Sequence, residues 1–294
     1  ISFKLRCMKR EIPSRSIGHK IVDRRREEIE PLFVSCRQQN RPIEIGLYFN
    51  DPSCHEFIET WQVEHPLRLN THLDHRKLSV FSLDEHEKVP LLQRQIELSQ
   101  RWGADYGINH LSAFSLSRRE AYQSALMDKL TEQLHLLNGV CRKHDFPIYL
   151  ENTYHDLNFY QRIFKSIIEN QFDYLHCCFD FGHAKGWSNQ SLSEWLDFLE
   201  ALKNAGKRLH FHLHTNRGLS DEHLSFIEAE WLDIIKSDCF TFPLNSFEAI
   251  ERIDSRFADS RKVMEVPTHE ALENLHKVVG EIERFRQSKQ LRSA

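Results

Sequence analysis

The sequence predicts a single α/β domain that folds as a closed (β/α)8 barrel, and three observations favour this class. Short apolar segments alternate with longer amphipathic stretches along all 294 residues, which is typical of strands alternating with helices. Eight strands can be counted, each followed by a helical pattern, and this is the number in a (β/α)8 barrel. No low-complexity linker divides the chain, so we expect one domain over residues 1–294.

The eight predicted strands are short and lie at residues 1–7, 42–49, 67–73, 105–111, 147–152, 174–181, 208–216 and 262–267. Helical patterns fill the intervals, and two of them begin with a capping-box signal, Ser117 with Glu120 and Ser191 with Glu194. We therefore expect helices over 117–144 and 191–206, the second ending at Gly206. A last helix is predicted over about 269–286.

The seventh predicted strand separates a closed barrel from an open sheet. In "RLHFHLHTN", Leu209, Phe211 and Leu213 share one face, and the three histidines between and after them share the other. An open parallel sheet covered by helices on both sides would be apolar on both faces. One apolar face and one histidine face instead indicate a barrel wall, with the polar side pointing into the barrel.

Side chains of the metal-ligand type lie where six consecutive predicted strands end. The carboxyl ends of parallel strands meet at one face of a barrel, where barrel enzymes hold their sites, so we expect these side chains to converge. Converging carboxylates and imidazoles need a cation to neutralise them. Mixed nitrogen and oxygen ligands suit Zn²⁺ or Mn²⁺ rather than Ca²⁺. The candidate ligands are His72, His110, Glu151, Asp180, His183, His212, Asp221, His223 and Glu265.

Each candidate also has a purely structural interpretation. A single histidine at a strand end is more often a hydrogen-bonded structural residue than a ligand, and Glu151 or Asp221 could cap the helix that follows it. Three further histidines are interpreted as structural or supporting residues: His75, His155 and His176. Common nucleotide-binding, nucleophile-elbow and HExxH motifs are absent from the sequence.

At these residues the chain resembles the xylose isomerase-like TIM barrels, which include sugar isomerases and epimerases and the endonuclease IV-like enzymes of AP endonuclease family 2. The motifs that carry the resemblance are "IYLEN" with Glu151, "CFDFGHAKGW" with Asp180 and His183, "HLHTNRGLSDEHL" and "VMEVP" with Glu265. His72 and His110 match the two early histidines of the endonuclease branch. Two departures are Thr215, where the family has aspartate, and "IEAEW", where a glycine-rich loop is expected.

The resemblance implies a divalent metal, with one ion in isomerases and three zinc ions in endonucleases. The single ion would be held by Glu151, Asp180, His212 and Glu265, and the three-ion arrangement would use all nine candidates. The leading hypothesis is therefore a metal-dependent isomerase or epimerase of a sugar, sugar phosphate or related hydroxy-carbonyl compound, with one Zn²⁺ or Mn²⁺ and an enediolate stabilised by it. Glu151 and Glu265 would be its catalytic acid and base, and His183 and Arg217 would orient the substrate.

Two other hypotheses stay open. The first is an endonuclease IV-like multi-zinc phosphodiester hydrolase, acting on apurinic DNA or on a phosphorylated small molecule. The second is a non-enzymatic barrel with a structural metal or none. Nine candidate ligands favour the hydrolase, while the loss of the glycine-rich loop gives some weight to the non-enzymatic barrel.

Composition restricts the partners and the compartment. A formal charge of −4 gives no general attraction to nucleic acid, so a small-molecule substrate is favoured and nucleic acid is not. Seven scattered cysteines with no CxxC pair indicate reduced thiols. With no signal core and no long apolar run, we expect a cytoplasmic protein that does not contact membranes and could form homo-oligomers.

Overall fold

The computed structural model describes residues 16–21, 26–48, 51–216, 220–228 and 246–292. Its strands are β1 (Ile17–Ile21), β2 (Pro42–Gly46), β3 (Arg68–His72), β4 (Gly107–His110), β5 (Ile148–Glu151), β6 (Leu175–Asp180), β7 (Leu209–Leu213) and β8 (Arg261–Met264). The helices within the described ranges are α1 (Arg26–Gln39), α2 (Pro52–Glu64), α3 (Lys88–Arg101), α4 (Glu120–His144), α5 (Leu157–Glu169), α6 (Phe181–Trp187), α7 (Leu192–Asn204), α8 (Ser246–Arg256) and α9 (Ala271–Arg292).

The eight strands form a closed parallel barrel in sequence order, and β1 pairs with β8 to complete it. The predicted (β/α)8 fold is thus confirmed. Seven of the eight strands lie within a few residues of their predicted positions. The first does not: it is Ile17–Ile21, whereas the strand predicted over 1–7 lies outside the described residues. Because Ile17–Ile21 closes the ring between β2 and β8, the assignment of the first barrel strand to residues 1–7 was wrong.

The predicted split between the strand faces is confirmed in β7. Phe211 faces outward, where its ring lies 5.3 Å from that of Phe257, just after α8. On the neighbouring strand, Phe179 packs in the same way against Trp195 of α7, with ring centroids 5.1 Å apart. The histidines of β7 are buried on the inner side, so burial of apolar surface between strands and helices leaves the interior free for polar groups.

The two predicted capping boxes have different outcomes. At α7 the box is present: Ser191 accepts from the backbone of Glu194, whose carboxylate accepts in return from Ser191. The box predicted from Ser117 is wrong, because α4 begins at Glu120 with Arg119 at its N-cap and no side-chain cap. The Ser117 hydroxyl instead accepts from the backbone N–H of Arg119 at 3.3 Å, and the helix begins after this contact.

Three further features bear on the predictions. All five cysteines within the described ranges are buried, and four of them are free thiols: Cys36, Cys141, Cys177 and Cys178. Burial raises the pKa of Cys36 to about 12, which keeps that thiol protonated and unreactive at neutral pH.

Across the described residues, none of the helices combines the length and apolar character needed to cross a bilayer.

Candidate metal centre

All nine predicted ligand residues lie at or near the carboxyl end of the barrel. They surround a cavity of about 620 Å³, with Asp180 and His212 fully buried beneath it. Strand pairing places several of them side by side: β4 pairs with β5 so that His110 lies opposite Glu151, and β6 pairs with β7 so that Asp180 lies opposite His212. The convergence expected from the strand-end pattern is therefore present in the structure.

Glu151 lies at the centre of this arrangement. Its Oε2 atom is 3.1 Å from His72 Nε2, 3.2 Å from His110 Nε2 and 3.2 Å from His212 Nδ1. Its Oε1 atom is 3.3 Å from His183 Nδ1. Glu151 does not cap the next helix, since Asp156 accepts from the N-terminal turn of α5. One carboxylate thus contacts imidazoles from four strands or strand ends, which makes it able to bridge neighbouring cations.

The second group is Asp180, His212 and Glu265, and two of its buried atoms lack a hydrogen bond within the described residues. His212 Nδ1 is 2.9 Å from Glu265 Oε1 and 3.9 Å from Asp180 Oδ2. Among the described residues, neither His212 Nδ1 nor Asp180 Oδ2 has a partner with hydrogen-bond geometry, although both are buried. Buried polar atoms without partners are rare and costly. A cation held between these atoms would satisfy both.

The third group lies nearer the opening and includes the loop after β7. His183 Nε2 is 3.1 Å from Asp221 Oδ2, and His223 Nε2 is 3.1 Å from Asp221 Oδ1. His223 also approaches Glu265 Oε2 through Nδ1, at 3.0 Å. Asp221 does not serve as a helix N-cap, because residues 221–225 contain no helix. His223 adopts a left-handed backbone conformation, with φ of 48°, which a non-glycine residue adopts only at some cost.

Backbone carbonyl groups fix the tautomers of two imidazoles at the site. His72 Nδ1 lies 2.9 Å from the carbonyl oxygen of Leu73, and His183 Nδ1 lies 2.7 Å from that of Asn152. Because a carbonyl oxygen only accepts, each Nδ1 must donate. Each Nε2 then presents a lone pair to a carboxylate oxygen 3.1 Å away unless the ring is protonated. This is the usual orientation of a histidine whose Nε2 binds a metal ion.

Four residues of this site were not among the predicted ligands, and two of them lie below the strand ends. Glu44, in the middle of β2, is fully buried, and its carboxylate lies 3.2 Å from His210 Nε2 and 3.0 Å from His212 Nε2. Lys20 of β1 is also buried and contacts Glu265, with Glu44 3.6 Å away. A search restricted to strand ends could not find Glu44, and Lys20 belongs to the strand that was misplaced.

The other two missed residues are histidines that extend the outer groups. His214 Nε2 is 2.9 Å from Asp180 Oδ1, and its ring stacks on His223 with centroids 4.1 Å apart. His75, interpreted from sequence as structural, stacks on His110 at the same separation. A side chain at Gly182 would overlap the ring of His214, so the glycine of "DFGH" leaves the space that this imidazole occupies.

The charges at the site explain why cations fit it. Five carboxylates against the single ammonium of Lys20 leave a formal charge of −4 if every imidazole is neutral; the acids are Glu44, Glu151, Asp180, Asp221 and Glu265. Burial alone would lower the pKa of His223, but hydrogen bonds to Asp221 and Glu265 raise that pKa to about 10. In the same way, carboxylates raise the pKa of His183 well above its ordinary value against the effect of burial. Bound cations would replace these protons.

The donor set matches the chemistry of zinc and related divalent ions. Ligand atoms within 4.8 Å of one another form several overlapping sets among the described residues. They include His72 with His75 and His110; Glu151 with Asp180 and His212; and His183 with His214, Asp221 and His223. Three or four nitrogen and oxygen donors are the usual complement of a zinc site. Arg217, predicted to orient the substrate, lies outside the described residues, as does most of the "IEAEW" segment.

No family model matches the sequence, and no curated protein matches it. Solved structures match over nearly their whole length. One is a D-tagatose 3-epimerase-like protein, with 18% identity, a TM-score of 0.69 and coverage of 93% of this chain and 99% of that one. Endonuclease IV from Thermus thermophilus matches with 14% identity, a TM-score of 0.59 and coverage of 92% and 99%. The IOLI protein, solved with a bound zinc atom, matches with 12% identity and a TM-score of 0.62. The match covers 91% of this chain and 97% of that one.

At these identities the likeness shows the fold alone. The chain has the fold of the xylose isomerase-like TIM barrels, so the resemblance predicted from its motifs is confirmed at that level. The similar structures include both epimerases and endonuclease IV, and the fold by itself does not choose between their chemistries.

Proposed function

We propose that this protein is a metal-dependent hydrolase that cleaves a phosphoester bond in a small molecule. The observation that supports the proposal is that candidate ligand atoms form several adjoining sets around the cavity rather than one. An isomerase or epimerase with a single ion needs only the central set. The two outer sets supply more ligands than one ion needs, whereas a multi-metal hydrolase would use them to hold further ions.

The residues that would hold the ions follow from the contacts. His72 and His110 would hold one ion together with Glu151, and Asp180, His212 and Glu265 a second that shares Glu151. The third set is formed by His183, Asp221 and His223. Ions bound there would polarise a phosphoryl oxygen and lower the pKa of water. His75 and His214 add a further nitrogen to each outer set.

Residues of the chain around the opening are placed to bind and orient the substrate. Arg76 and His269 line the cavity, and the guanidinium of Arg76 lies over the Tyr48 ring, 5.6 Å from its centroid. Among the described lining residues Arg76 is the one arginine, so it is suited to a single phosphoryl group. Deeper in the cavity, the Lys20 ammonium contacts Glu265 and so limits the movement of that carboxylate.

The charge around the opening favours a small substrate over nucleic acid. Asp221 and Glu222 both line the cavity mouth, where they would repel a polynucleotide backbone. Proteins that bind nucleic acid contact many phosphates through clustered lysine and arginine. The described lining residues offer Arg76 but no such cluster.

A sugar isomerase or epimerase is the second candidate, because one feature of the central set favours it. Glu151 and Glu265 approach the same atom, His212 Nδ1, at 3.2 and 2.9 Å. Two carboxylates on either side of one centre are suited to remove a carbon-bound proton and to return it. The likeness to a D-tagatose 3-epimerase-like protein agrees with this alternative.

Metal analysis and two assays on the purified full chain separate the candidates. We expect close to three Zn²⁺ or Mn²⁺ per chain and hydrolysis of bis(p-nitrophenyl) phosphate, with no epimerisation of ketoses. Glu151→Gln should lose hydrolysis and bound metal, whereas Glu97→Gln, at an exposed position on α3, should lose neither. One ion per chain with ketose epimerisation would establish the second candidate. Metal-free protein without either activity would refute both.

A further inference from the structure

A second cavity, of about 500 Å³, opens at the end of the barrel opposite the candidate metal centre. It is lined by residues at the starts of strands, including Arg68 at the start of β3 and Arg261 at the start of β8. Its cations are Arg68, Lys203, Lys207, Arg208 and Arg261, and its one acidic lining residue is Asp259. The lining therefore carries a formal charge of +4 in a chain whose net charge is −4.

Two of these cations have carboxylate partners and three do not. Lys203 Nζ pairs with Asp259 Oδ1 at 2.8 Å, and Arg261 contacts Asp105. No carboxylate within the described ranges comes within ion-pair distance, 4.0 Å, of the remaining three cations, which are Arg68, Lys207 and Arg208. This end of the barrel thus has positive charge beyond what its own acids neutralise.

The lysines have a structural role at helix ends, and two of the arginines also donate to backbone carbonyl groups, Arg68 to that of Asn40 and Arg261 to that of Leu69. In a (β/α)8 barrel the helices end at the face where the strands begin, and their C-terminal carbonyl groups attract cations. Lys207 Nζ donates to the carbonyl oxygen of Phe172, just after α5, at 2.9 Å, and Lys203 lies in the last turn of α7. Neutralising helix ends therefore accounts for the two lysines.

Arg261 acts electrostatically on Arg68, and Arg208 contacts a neutral acceptor. Arg261 lies over the ring of Tyr106, 5.3 Å from its centroid. Partial burial and the charge of Arg261 together lower the pKa of Arg68. Arg208 Nε lies 3.0 Å from His176 Nε2, and burial, Arg208 and Lys207 lower the pKa of His176 to about 3. His176 is thus a neutral partner, which leaves the charge of Arg208 unpaired.

We propose that this cavity is a binding site for a small anion that carries phosphate groups. The planar guanidinium groups of Arg68, Arg208 and Arg261 are suited to paired hydrogen bonds with phosphate oxygens. A multiply charged phosphate would relieve the repulsion between Arg68 and Arg261. The same chemistry is shared by inorganic pyrophosphate and by the phosphate groups of a metabolite.

Calorimetric titration of the metal-loaded full chain with inorganic pyrophosphate, at constant ionic strength, tests the proposal. We expect saturable binding that Arg68→Gln and Arg208→Gln each weaken by about tenfold or more, because each removes hydrogen bonds to a charged group. Arg208 is exposed, so its substitution is not expected to disturb folding. Orthophosphate and ADP, titrated in parallel, distinguish a need for two linked phosphates from recognition of a larger molecule.

Two controls identify the cavity to which the anion binds. Arg76→Gln removes the arginine at the opposite opening, and Arg284→Gln removes an exposed arginine from α9. Neither should change the affinity that the first two variants weaken. Absence of saturable binding would overturn the proposal. So would weakening by Arg76→Gln alone, or equal small losses in all four variants, since these would indicate the metal centre or nonspecific attraction. Pyrophosphate bound at the metal centre would be a separate component that Arg76→Gln weakens and that Arg208→Gln leaves unchanged, so the two sites are distinguished.

Discussion

Glu44 and His212 lie in contact across the barrel interior, with Glu44 Oε1 3.0 Å from His212 Nε2, although 168 residues separate them in sequence. The other nitrogen of the ring, Nδ1, points toward Glu151 and Glu265. Glu44 therefore sets the orientation of the imidazole that would bind metal. Supporting carboxylates of this kind commonly fix the tautomer and raise the basicity of a ligand histidine.

Replacement of Glu44 by glutamine should weaken metal binding. The amide keeps the size of the side chain but removes the charge beside His212, and loss of such a partner typically costs about 10- to 100-fold in affinity. Zinc affinity measured by competition with a chelating dye tests this expectation. Glu97→Gln, at an exposed position on α3, is the matched control and should bind zinc like the parent. An unchanged affinity in Glu44→Gln would show that the carboxylate has no part in orienting the ring.

Substitution of Gly182 should displace His214. The added methyl group of Gly182→Ala would overlap the imidazole ring, and overpacking of this kind costs about 1–3 kcal/mol. Gly186 provides the control within the same helix, since nothing lies within 4 Å of the Cβ that Gly186→Ala would add. Gly186→Ala should leave the free energy of unfolding unchanged or raise it by about 0.5–1 kcal/mol. Urea denaturation of both variants measures the difference, and equal stabilities would contradict the close packing of His214 against Gly182.

The two serines with the same sequence signal should differ in their effect on stability. Ser191→Ala removes a formed capping box and should cost about 1 kcal/mol. Ser117→Ala removes a hydroxyl that caps no helix and should cost a few tenths of a kcal/mol at most. Thermal unfolding of the two variants side by side tests the contrast. A loss at Ser117 as large as that at Ser191 would mean that α4 starts where the sequence pattern placed it.

The capping signals show where sequence reasoning reaches its limit for the fold. Periodicity and strand count were sufficient for the barrel, because burial of apolar surface imposes those patterns on every strand and helix. A capping box depends on where the chain enters the helix, and the segment before α4 stays extended as far as Arg119, so the helix begins after Ser117. The sequence pattern did not predict the first strand, because Ile17–Ile21 is short and two of its five residues, His19 and Lys20, are polar.

The candidate site was predictable to the extent that it follows the strand-end rule. That rule located Glu151, Asp180 and His212, which the structure brings together. It could not locate Glu44, which lies below the strand ends, because a lone glutamate in the middle of a strand gives no sign of what it faces across the barrel. His214 was visible on the polar face of β7, but its contact with Asp180 depends on strand pairing and on the space left by Gly182.

His19 should make the protein less stable in acid. It is fully buried, and burial and the charge of Arg41 lower its pKa to about 3. In the unfolded chain His19 binds a proton at the ordinary pKa of about 6.5. Its contribution to the free energy of unfolding is therefore complete above about pH 6.5 and is lost as the pH falls toward about 3. Between pH 7.5 and pH 4.5 this residue should account for about 2–3 kcal/mol of lost stability.

His19→Leu should remove that part of the pH dependence. Urea denaturation at a series of pH values, compared with the parent and with His86→Leu at an exposed position, measures it. The parent and the His86 variant should lose stability in parallel, and the His19 variant should lose less. If all three curves run parallel, proton uptake by His19 is not coupled to unfolding.

The crowding of acids at one mouth of the barrel implies an order of ligand arrival. Five carboxylates and one ammonium lie at the site, and raised pKa values keep protons on His183 and His223 that offset part of the negative charge. Divalent cations that bind there would displace these protons. Under the proposed function, ions that bind before the substrate would lower the negative charge that an anionic substrate meets. The proposed activity would then depend on the supply of free divalent ions.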